Sequence, residues 1–140
     1  MPESPEPAGG ATAAGRRPFE YAIVRVVPRV ERGEGLNAGI ILMCRPMRYL
    51  GARTELDEAL LVAMSPDCDP EIVRSHLAAI EAIAAGEAGA GPIAALPMPE
   101  RFHWLVSPSS TVIQAGEVHT GLTADPAATL DHLFRTLVRR

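Results

Sequence analysis

The segment RFHWLVSPSSTVIQAGEVHTG, residues 101–121, holds the densest group of side chains that could do chemistry. It contains an arginine, two histidines, a glutamine and the only tryptophan of the chain. Arginine suits phosphate or carboxylate recognition, because its guanidinium presents several N–H donors in a fixed geometry. The alternation of residues predicts two short strands with polar side chains on one face. That face is either an anion or polar-ligand site or the ordinary half-exposed surface of an antiparallel sheet.

The candidate binding residues are polar side chains on or beside these two strands, together with one asparagine from an earlier strand. They are Asn37, Arg101, His103, Ser110, Gln114 and His119. Arg101 and His103 would project from the same strand face, with the later residues on neighbouring elements. Asn37 has a second interpretation, because an asparagine at the edge of a turn often bonds to its own backbone.

The serines between His103 and His119 do not complete a catalytic motif. A serine nucleophile needs a base, an orienting acid and an oxyanion hole, whereas serines beside a proline in a turn commonly bond the local backbone. All 13 basic residues are arginine, which excludes a Schiff-base lysine and a P-loop lysine. We therefore lean towards a protein without enzymatic activity.

The residues that could bind a soft metal are two cysteines and four histidines, and they do not pair at a spacing typical of a zinc site. We predict no metal and no cofactor. Cys44 and Cys68 form no CxxC motif, and in a chain without a secretion signal they are predicted to be reduced thiols.

Charge is distributed unevenly along the chain. The net charge is −4, yet residues 16–53 hold eight arginines and three acidic residues, and residues 54–140 hold five arginines and twelve acidic residues. Because the whole chain is acidic, we do not expect nucleic acid as a partner. Five arginines of the first half could still form one basic patch, or they could protect strand edges. They are Arg25, Arg29, Arg32, Arg45 and Arg48.

Residues 1–17, MPESPEPAGGATAAGRR, contain no Leu, Ile, Val or aromatic residue. Such a segment cannot bury enough apolar surface to offset its ordering entropy, so it is predicted to be a disordered tail. Residues 18–140 are predicted to form a single domain. The tail lacks the apolar run of a signal peptide, and no later run is long and apolar enough to span a bilayer. We expect a cytoplasmic protein that is not bound to a membrane.

The first half of the chain predicts three strands. Residues 19–30 and 36–44 are rich in β-branched residues and are separated by a short charged, glycine-containing connection, which is typical of a hairpin. Gly39, inside the second of these strands, indicates a bulge or a close approach of another backbone. Residues 48–53 are predicted to form a short third strand.

Two helices begin with an Asp-Pro pair, at Asp69 and at Asp125, where aspartate is a good N-cap and proline fits the first helical position. The first of these helices is predicted to end at Gly86. One of its faces is formed by Ile72, Val73, His76, Ile80 and Ile83. A shorter helix is predicted to start at Thr54. Residues 86–100, with three prolines, are predicted to be a loop, either a lid or a plain connection.

Residues 101–108 and 110–114 are the last two predicted strands, and a helix ends the chain. The predicted order is β-β-β-α-α-β-β-α. The hairpins imply antiparallel pairing, so the fold class is α+β. We expect a small antiparallel sheet of about five strands packed by two or three helices.

Two blocks, YAIVRVVPRVERGEGLNAGIILMC and RFHWLVSPSSTVIQAGEVHTGLTADP, resemble the bacterial domain-of-unknown-function family DUF3037. The resemblance extends over residues 19–139, with the blocks in the family's order. The residues that match the family's blocks are Asn37, Gly39, Arg101, Trp104, Ser110, Gln114, His119 and Gly121. Ser109 departs from them, since the resemblance implies an arginine at that position in relatives.

The resemblance implies no assigned activity, cofactor or catalytic residue. It does imply a genomic neighbour, because members tend to be encoded beside a HipA-like kinase, and such an association suggests a partner or accessory role. We therefore expect a non-enzymatic interaction domain, with a HipA-like kinase as its candidate partner. The alternative is an anion- or nucleotide-binding protein, or an enzyme, that uses the polar sheet face around Arg101, Gln114 and His119.

Overall fold

The computed structural model describes residues 15–109 and 111–140. In these ranges the chain forms five strands and four α-helices. The strands are β1 (Arg17–Arg29), β2 (Glu34–Cys44), β3 (Tyr49–Thr54), β4 (Ile113–Ala115) and β5 (His119–Thr123). The helices are α1 (Glu58–Met64), α2 (Pro70–Ala85), α3 (Met98–Val106) and α4 (Pro126–Leu137). The predicted α+β class and the sheet of about five antiparallel strands are confirmed, although the helices number four instead of two or three.

The N-terminal tail, predicted over residues 1–17, is only partly within the described residues. Residues 1–14 lie outside them, and Arg17 already belongs to β1. Within the described residues, no helix combines the length and the apolar character that crossing a bilayer requires.

The sheet is antiparallel and is built around β1. Its order is β3-β2-β1-β4, and β5 pairs with the same edge of β1 as β4 does. Ala115 in β4 pairs with Val24, and His119 in β5 pairs with Tyr21. Three edge residues therefore stand opposite two residues of β1, which is the geometry of a bulge. β4 and β5 together form one interrupted edge strand, and β5 was not predicted.

Apolar side chains pack on both faces of the sheet. Helices α1, α2 and α3 cover one face, where the buried sheet residues are Val24, Val26, Leu36, Ala38, Ile41 and Met43. Helix α4 covers β2 and β3 on the other face. There Ile40 and Leu42 pack with Leu130 and Phe134.

Gly39 lies at a register shift between β1 and β2. A Cβ at this position would come within 2.8 Å of Thr54 Cγ2 and 2.9 Å of the Arg53 carbonyl oxygen. Both features predicted for this glycine, the irregularity and the close approach, are therefore confirmed. The Arg53 side chain bonds to Asp131 and lies 4.4 Å from the centre of the Phe134 ring, which fastens β3 to α4.

The predicted starts of the two long helices and the predicted end of α2 are confirmed. The Asp69 carboxylate accepts a hydrogen bond from the Glu71 N–H at 3.0 Å, and the Asp125 carboxylate accepts one from the Ala128 N–H at 3.1 Å. Both are N-cap bonds that satisfy otherwise unpaired helix donors. Gly86 ends α2 with a φ of 68°, a left-handed conformation that favours glycine.

Two details predicted for the helices are wrong. Thr54 does not start a helix, because it ends β3 and its N–H and hydroxyl donate to the Glu81 carboxylate. Asp57 caps α1 instead. On the predicted face of α2, Val73, Ile80 and Ile83 pack on the core as expected. Ile72 is instead 58% exposed, and Leu77, which was not predicted, is buried.

The predicted strand over residues 101–108 is also wrong, because Met98–Val106 forms α3. Pro99 lies in the first turn, where a helix tolerates proline. Phe102 and Leu105 are buried at helical spacing, while Trp104 is exposed. A short apolar run such as FHWLV fits a strand period and a helix period equally well. The true order is β-β-β-α-α-α-β-β-α.

The connection predicted over residues 86–100 is shorter than expected. Residues 86–97 join α2 to α3 and include a 3-10 turn at Ile93–Ala95. Ala94 is buried in this turn, so the connection packs on the body of the protein, and α3 begins at Met98.

The five arginines considered as one basic patch do not lie together. Arg29 is the register partner of Glu34 at the β1–β2 turn, whereas Arg45 and Arg48 follow the far end of β2. The 11 residues of β2 span about 35 Å at about 3.3 Å per residue. A single patch containing all five is therefore wrong, and the arginines belong to two opposite ends of the sheet.

Candidate functional site

A groove of about 550 Å³ lies between α2, α3 and the β4 edge of the sheet. We call it the α2–α3 groove. Its apolar lining is formed by Val24, Ala79, Ile80, Ile83, Leu105, Ile113 and Ala115, and its polar lining by His76, Ser107, Ser109, Thr111 and Gln114, with Trp104 and Pro108 between them. Small-ligand pockets in proteins measure about 300–1,000 Å³, so the groove is large enough to bind one.

Helix α2 supplies one wall of the groove through side chains at helical spacing. His76, Ile80 and Ile83 lie three or four residues apart, so they share one face of the helix. His76 is exposed, and the two isoleucines are half-buried. The inner part of this wall is therefore apolar, and the imidazole of His76 lies at its outer, solvent-exposed part.

Trp104 stands on the other side of the groove and is 51% exposed. Its neighbours Phe102 and Leu105 are buried in the core, so the α3 backbone is anchored and places Trp104 beside the groove. Exposed aromatic side chains beside an apolar recess are typical of the residues that dominate binding energies at interfaces.

The hydroxyl groups beside the groove bond to the local backbone or to each other. Ser107 Oγ donates to the His103 carbonyl oxygen at 2.7 Å, and Thr111 Oγ1 donates to the Ile113 carbonyl oxygen at 2.8 Å. The hydroxyls of Ser109 and Thr111 lie 2.9 Å apart. These bonds shape the segment between α3 and β4, and none of them is a serine–imidazole pair.

Gln114 lies in β4 and lines the groove. Its Nε2 donates to the Thr111 carbonyl oxygen at 2.8 Å. In the sheet register, Gln114 and Asn37 stand on either side of Arg25. Asn37 donates from Nδ2 to the Leu137 carbonyl oxygen at 3.0 Å, at the end of α4. Its amide therefore holds α4 against β2.

Arg101 makes its hydrogen bonds within the fold. Its guanidinium donates to the Leu96 carbonyl oxygen at 2.8 Å and to the Ala84 carbonyl oxygen at 3.3 Å. A cation at the C-terminal end of α2 is also favoured by the helix dipole. Arg101 Nε is buried and has no hydrogen-bond partner within residues 15–109 and 111–140. The side chain ties α3 to the end of α2. The prediction that it projects from a sheet face is therefore wrong.

The remaining candidates are placed apart from one another. His119, in β5, is exposed, with its ring 5.2 Å from the ring of Tyr21. Tyr21 lies four positions before Arg25, the partner of Gln114, a distance of about 13 Å along β1. His103 is exposed on α3, and Ser110 lies outside the described residues. The five described candidates therefore do not converge on one site.

Both cysteines are free. Burial, and secondarily the charge of Asp69, raise the pKa of the Cys68 thiol, so it is a neutral thiol at pH 7. Cys44 is buried, with Sγ 3.5 Å from the Pro18 carbonyl oxygen. In the part of the chain that the structure describes, no three His, Cys, Asp or Glu side chains are grouped so that they could hold a metal ion.

The sequence model of the family described as protein of unknown function (DUF3037) matches residues 21–138. The chain belongs to the DUF3037 family. No curated protein and no solved structure matches it. The match extends over every residue that lines the α2–α3 groove, so the groove is part of the DUF3037 domain itself.

Sequence reasoning located one side of this DUF3037 groove and missed the other. Residues 104–115 lie in the segment singled out by composition, whereas His76, Ala79, Ile80 and Ile83 come from α2. The sequence signal that could have indicated the α2 side of the groove was a histidine, His76, among the isoleucines of that helix. Ser109 is exposed and lines the groove.

Proposed function

We propose that this DUF3037 protein is a recognition domain without catalytic activity that binds a partner protein through the α2–α3 groove. The observation that carries the proposal is the 51% exposed Trp104 at the side of an apolar recess of about 550 Å³. A buried aromatic or aliphatic anchor in such a recess supplies most of the binding energy of many interfaces.

The lining of the groove favours an uncharged anchor. Among the residues that the structure describes, the lining contains no Arg, Asp or Glu, and His76 is its single titratable side chain. Apolar groups that enter the groove leave water without stranding a charge. An aliphatic or aromatic side chain of a partner is therefore the ligand chemistry that fits best.

The β4 edge offers the partner a second kind of contact. β4 is the last strand on its side of the sheet, and its three residues line the groove. An edge strand presents unpaired N–H and C=O groups that an extended segment of another protein can join. A partner could thus place a side chain in the groove while its backbone pairs with β4.

The candidate partner is a HipA-like kinase, as the genomic association implied by the family resemblance suggests, and we propose that the two proteins meet in the cytoplasm. The described hydroxyl and amide groups beside the groove support a non-enzymatic role, because they bond locally and none of them forms a nucleophile–base pair. They belong to Ser107, Ser109, Thr111 and Gln114. The alternative, an anion- or nucleotide-binding protein, is supported only by the position of Gln114 in the groove, since Arg101 donates to two backbone carbonyls elsewhere.

Filling the groove is expected to weaken partner binding without unfolding the protein. Ala79 and Ala78 are adjacent, exposed residues of α2, and only Ala79 lines the groove. Ala79→Arg is expected to weaken the affinity for a co-expressed HipA-like kinase by about tenfold or more, which corresponds to about 1.4 kcal/mol. Titration calorimetry would measure this affinity. The fluorescence of Trp104, the single tryptophan of the chain, would report whether the groove is occupied.

Ala78→Arg is the matched control, because it makes the same substitution on the same helix outside the groove. It should bind the kinase as the wild type does. Equal affinity of both variants, or a Trp104 emission that does not change on binding, would show that the partner binds elsewhere.

A further inference from the structure

The end of the sheet opposite the β1–β2 turn brings several arginines together. β1 and β2 run antiparallel, with Glu20 paired to Met43, so the start of β1 lies beside the end of β2. The 3-10 turn Arg45–Met47 follows β2 directly and contacts β1. Arg17, Arg45 and Arg48 therefore come to the same end of the sheet from different segments, and we call these three residues the arginine end.

Within the described residues, no acidic side chain pairs with the positive charges of the arginine end. Arg32, Arg53, Arg74, Arg135 and Arg139 all form ion pairs with acidic side chains. By contrast, Arg17, Arg45 and Arg48 have no hydrogen-bonded or ionic side-chain partner in residues 15–109 and 111–140. Arg45 and Arg48 are exposed, so their donors are available to a ligand.

An open groove of about 440 Å³ lies at this end of the sheet. Arg45 and Pro46 form one side of it, Pro18 and Phe19 another, and Glu20 also lines it. Phe19 is only 8% exposed, so it forms a floor. The volume is in the range of small-molecule sites. A concave site also favours a compact ligand over a partner that presents a flat surface.

Arg48 has a backbone conformation that is unfavourable for its residue type. It has φ 55° and ψ 44°, and it is the single non-glycine residue with positive φ among those described. The left-handed region favours glycine, and a residue that remains there against this preference often has a functional reason. The Arg48 N–H donates to the Arg45 carbonyl oxygen at 3.0 Å, so the turn fixes the distance between the backbone positions from which the two side chains extend.

We infer that the arginine end binds the phosphate group of a small phosphorylated molecule, with the remainder of the molecule in the groove beside it. Guanidinium groups bind phosphate oxygens through paired, charge-assisted hydrogen bonds. The net charge of −4 opposes long polyanions, so a short phosphate ligand is favoured over nucleic acid. The Glu20 carboxylate repels the phosphate from its own part of the groove. It can accept a hydrogen bond from a hydroxyl or amine of the ligand, and these two effects together would orient the ligand.

Titration of the full chain with inorganic pyrophosphate at physiological ionic strength tests this inference. The wild type is expected to bind, and Arg45→Gln is expected to weaken binding by about tenfold, the effect of losing one charge-assisted hydrogen bond. Arg48→Gly should weaken binding similarly while its melting temperature stays equal or rises, because glycine relieves the left-handed backbone. Arg29→Gln is the control, since Arg29 is an exposed arginine at the other end of the sheet.

A lipid headgroup would offer the same phosphate chemistry, so vesicles containing phosphatidylserine form a second arm. Binding of pyrophosphate but not of vesicles supports the small-molecule ligand. Three results would overturn the inference. They are no pyrophosphate binding by the wild type, binding to vesicles alone, and an equal loss of binding in Arg29→Gln, which would indicate diffuse attraction.

Discussion

Phe102→Ala is expected to lower the free energy of unfolding by about 3–5 kcal/mol, the usual cost of removing a fully buried phenylalanine. Phe102 is 1% exposed and packs in the core between the sheet and helices α1 to α3. Trp104→Ala, two residues along, should cost about 1 kcal/mol, because half of the indole is already in water. Urea denaturation of both variants would measure the difference.

This pair of variants distinguishes the helix seen in the structure from the strand that the alternating sequence predicts for the same residues. In a strand, residues 102 and 104 would share one face, and truncating either would cost a similar amount. In α3 they point in different directions, so one belongs to the core and the other to the groove. Similar losses of stability in the two variants would contradict the helix. Trp104→Ala should instead weaken partner binding.

Arg101→Met is expected to reduce the free energy of unfolding by about 2 kcal/mol, because two carbonyl oxygens lose a charged hydrogen-bond donor. These oxygens belong to Leu96 and Ala84, in the connection and at the end of α2. Methionine keeps most of the volume and the flexible stem, so the loss reports on the hydrogen bonds. Urea unfolding midpoints and slopes would give the value.

Two further variants control this result. Arg101→Lys keeps the positive charge but cannot present the same planar fork to two carbonyls, so it should fall between the wild type and Arg101→Met. His103→Ala, at an exposed position of the same helix, should change stability by less than about 0.5 kcal/mol. A folded Arg101→Met protein of unchanged stability that has lost a phosphate ligand would instead support the anion-site alternative.

Local chemistry in the sequence was sufficient to predict much of the fold. The β-branched runs predict β1 and β2, and the Asp-Pro pairs at Asp69 and Asp125 mark helix starts that the hydrogen bonds confirm. These signals act over a few residues and do not depend on distant parts of the chain. They are therefore readable without a structure.

The errors occurred where tertiary contacts decide between two local solutions. The run FHWLV suits either a strand or a helix, and the burial of Phe102 and Leu105 against α2 and the sheet selects the helix. β5 is short and polar, with Gly121 at its centre, so its period is weak. It becomes a strand because the edge of β1 is there to pair with it.

The candidate site was predictable only in part, for the same reason. The segment 101–121 is conspicuous by composition, and it does line the α2–α3 groove. The role of Arg101 could not be inferred, since its carbonyl partners are brought to it by the packing of α3 on α2. The contribution of Ile80 and Ile83 to the groove likewise depends on how α2 lies beside β4.

Hydrogen–deuterium exchange of the protein, alone and mixed with the HipA-like kinase that we propose as its partner, would show whether the α2–α3 groove binds that partner. Binding through the groove should slow exchange in residues 76–83 and 104–115, including the β4 amides that an added strand would pair with. Exchange in β3 and α4, on the far side of the sheet, should remain unchanged. Protection confined to β3 and α4, with the groove unaffected, would contradict the claim that the α2–α3 groove is the partner-binding site.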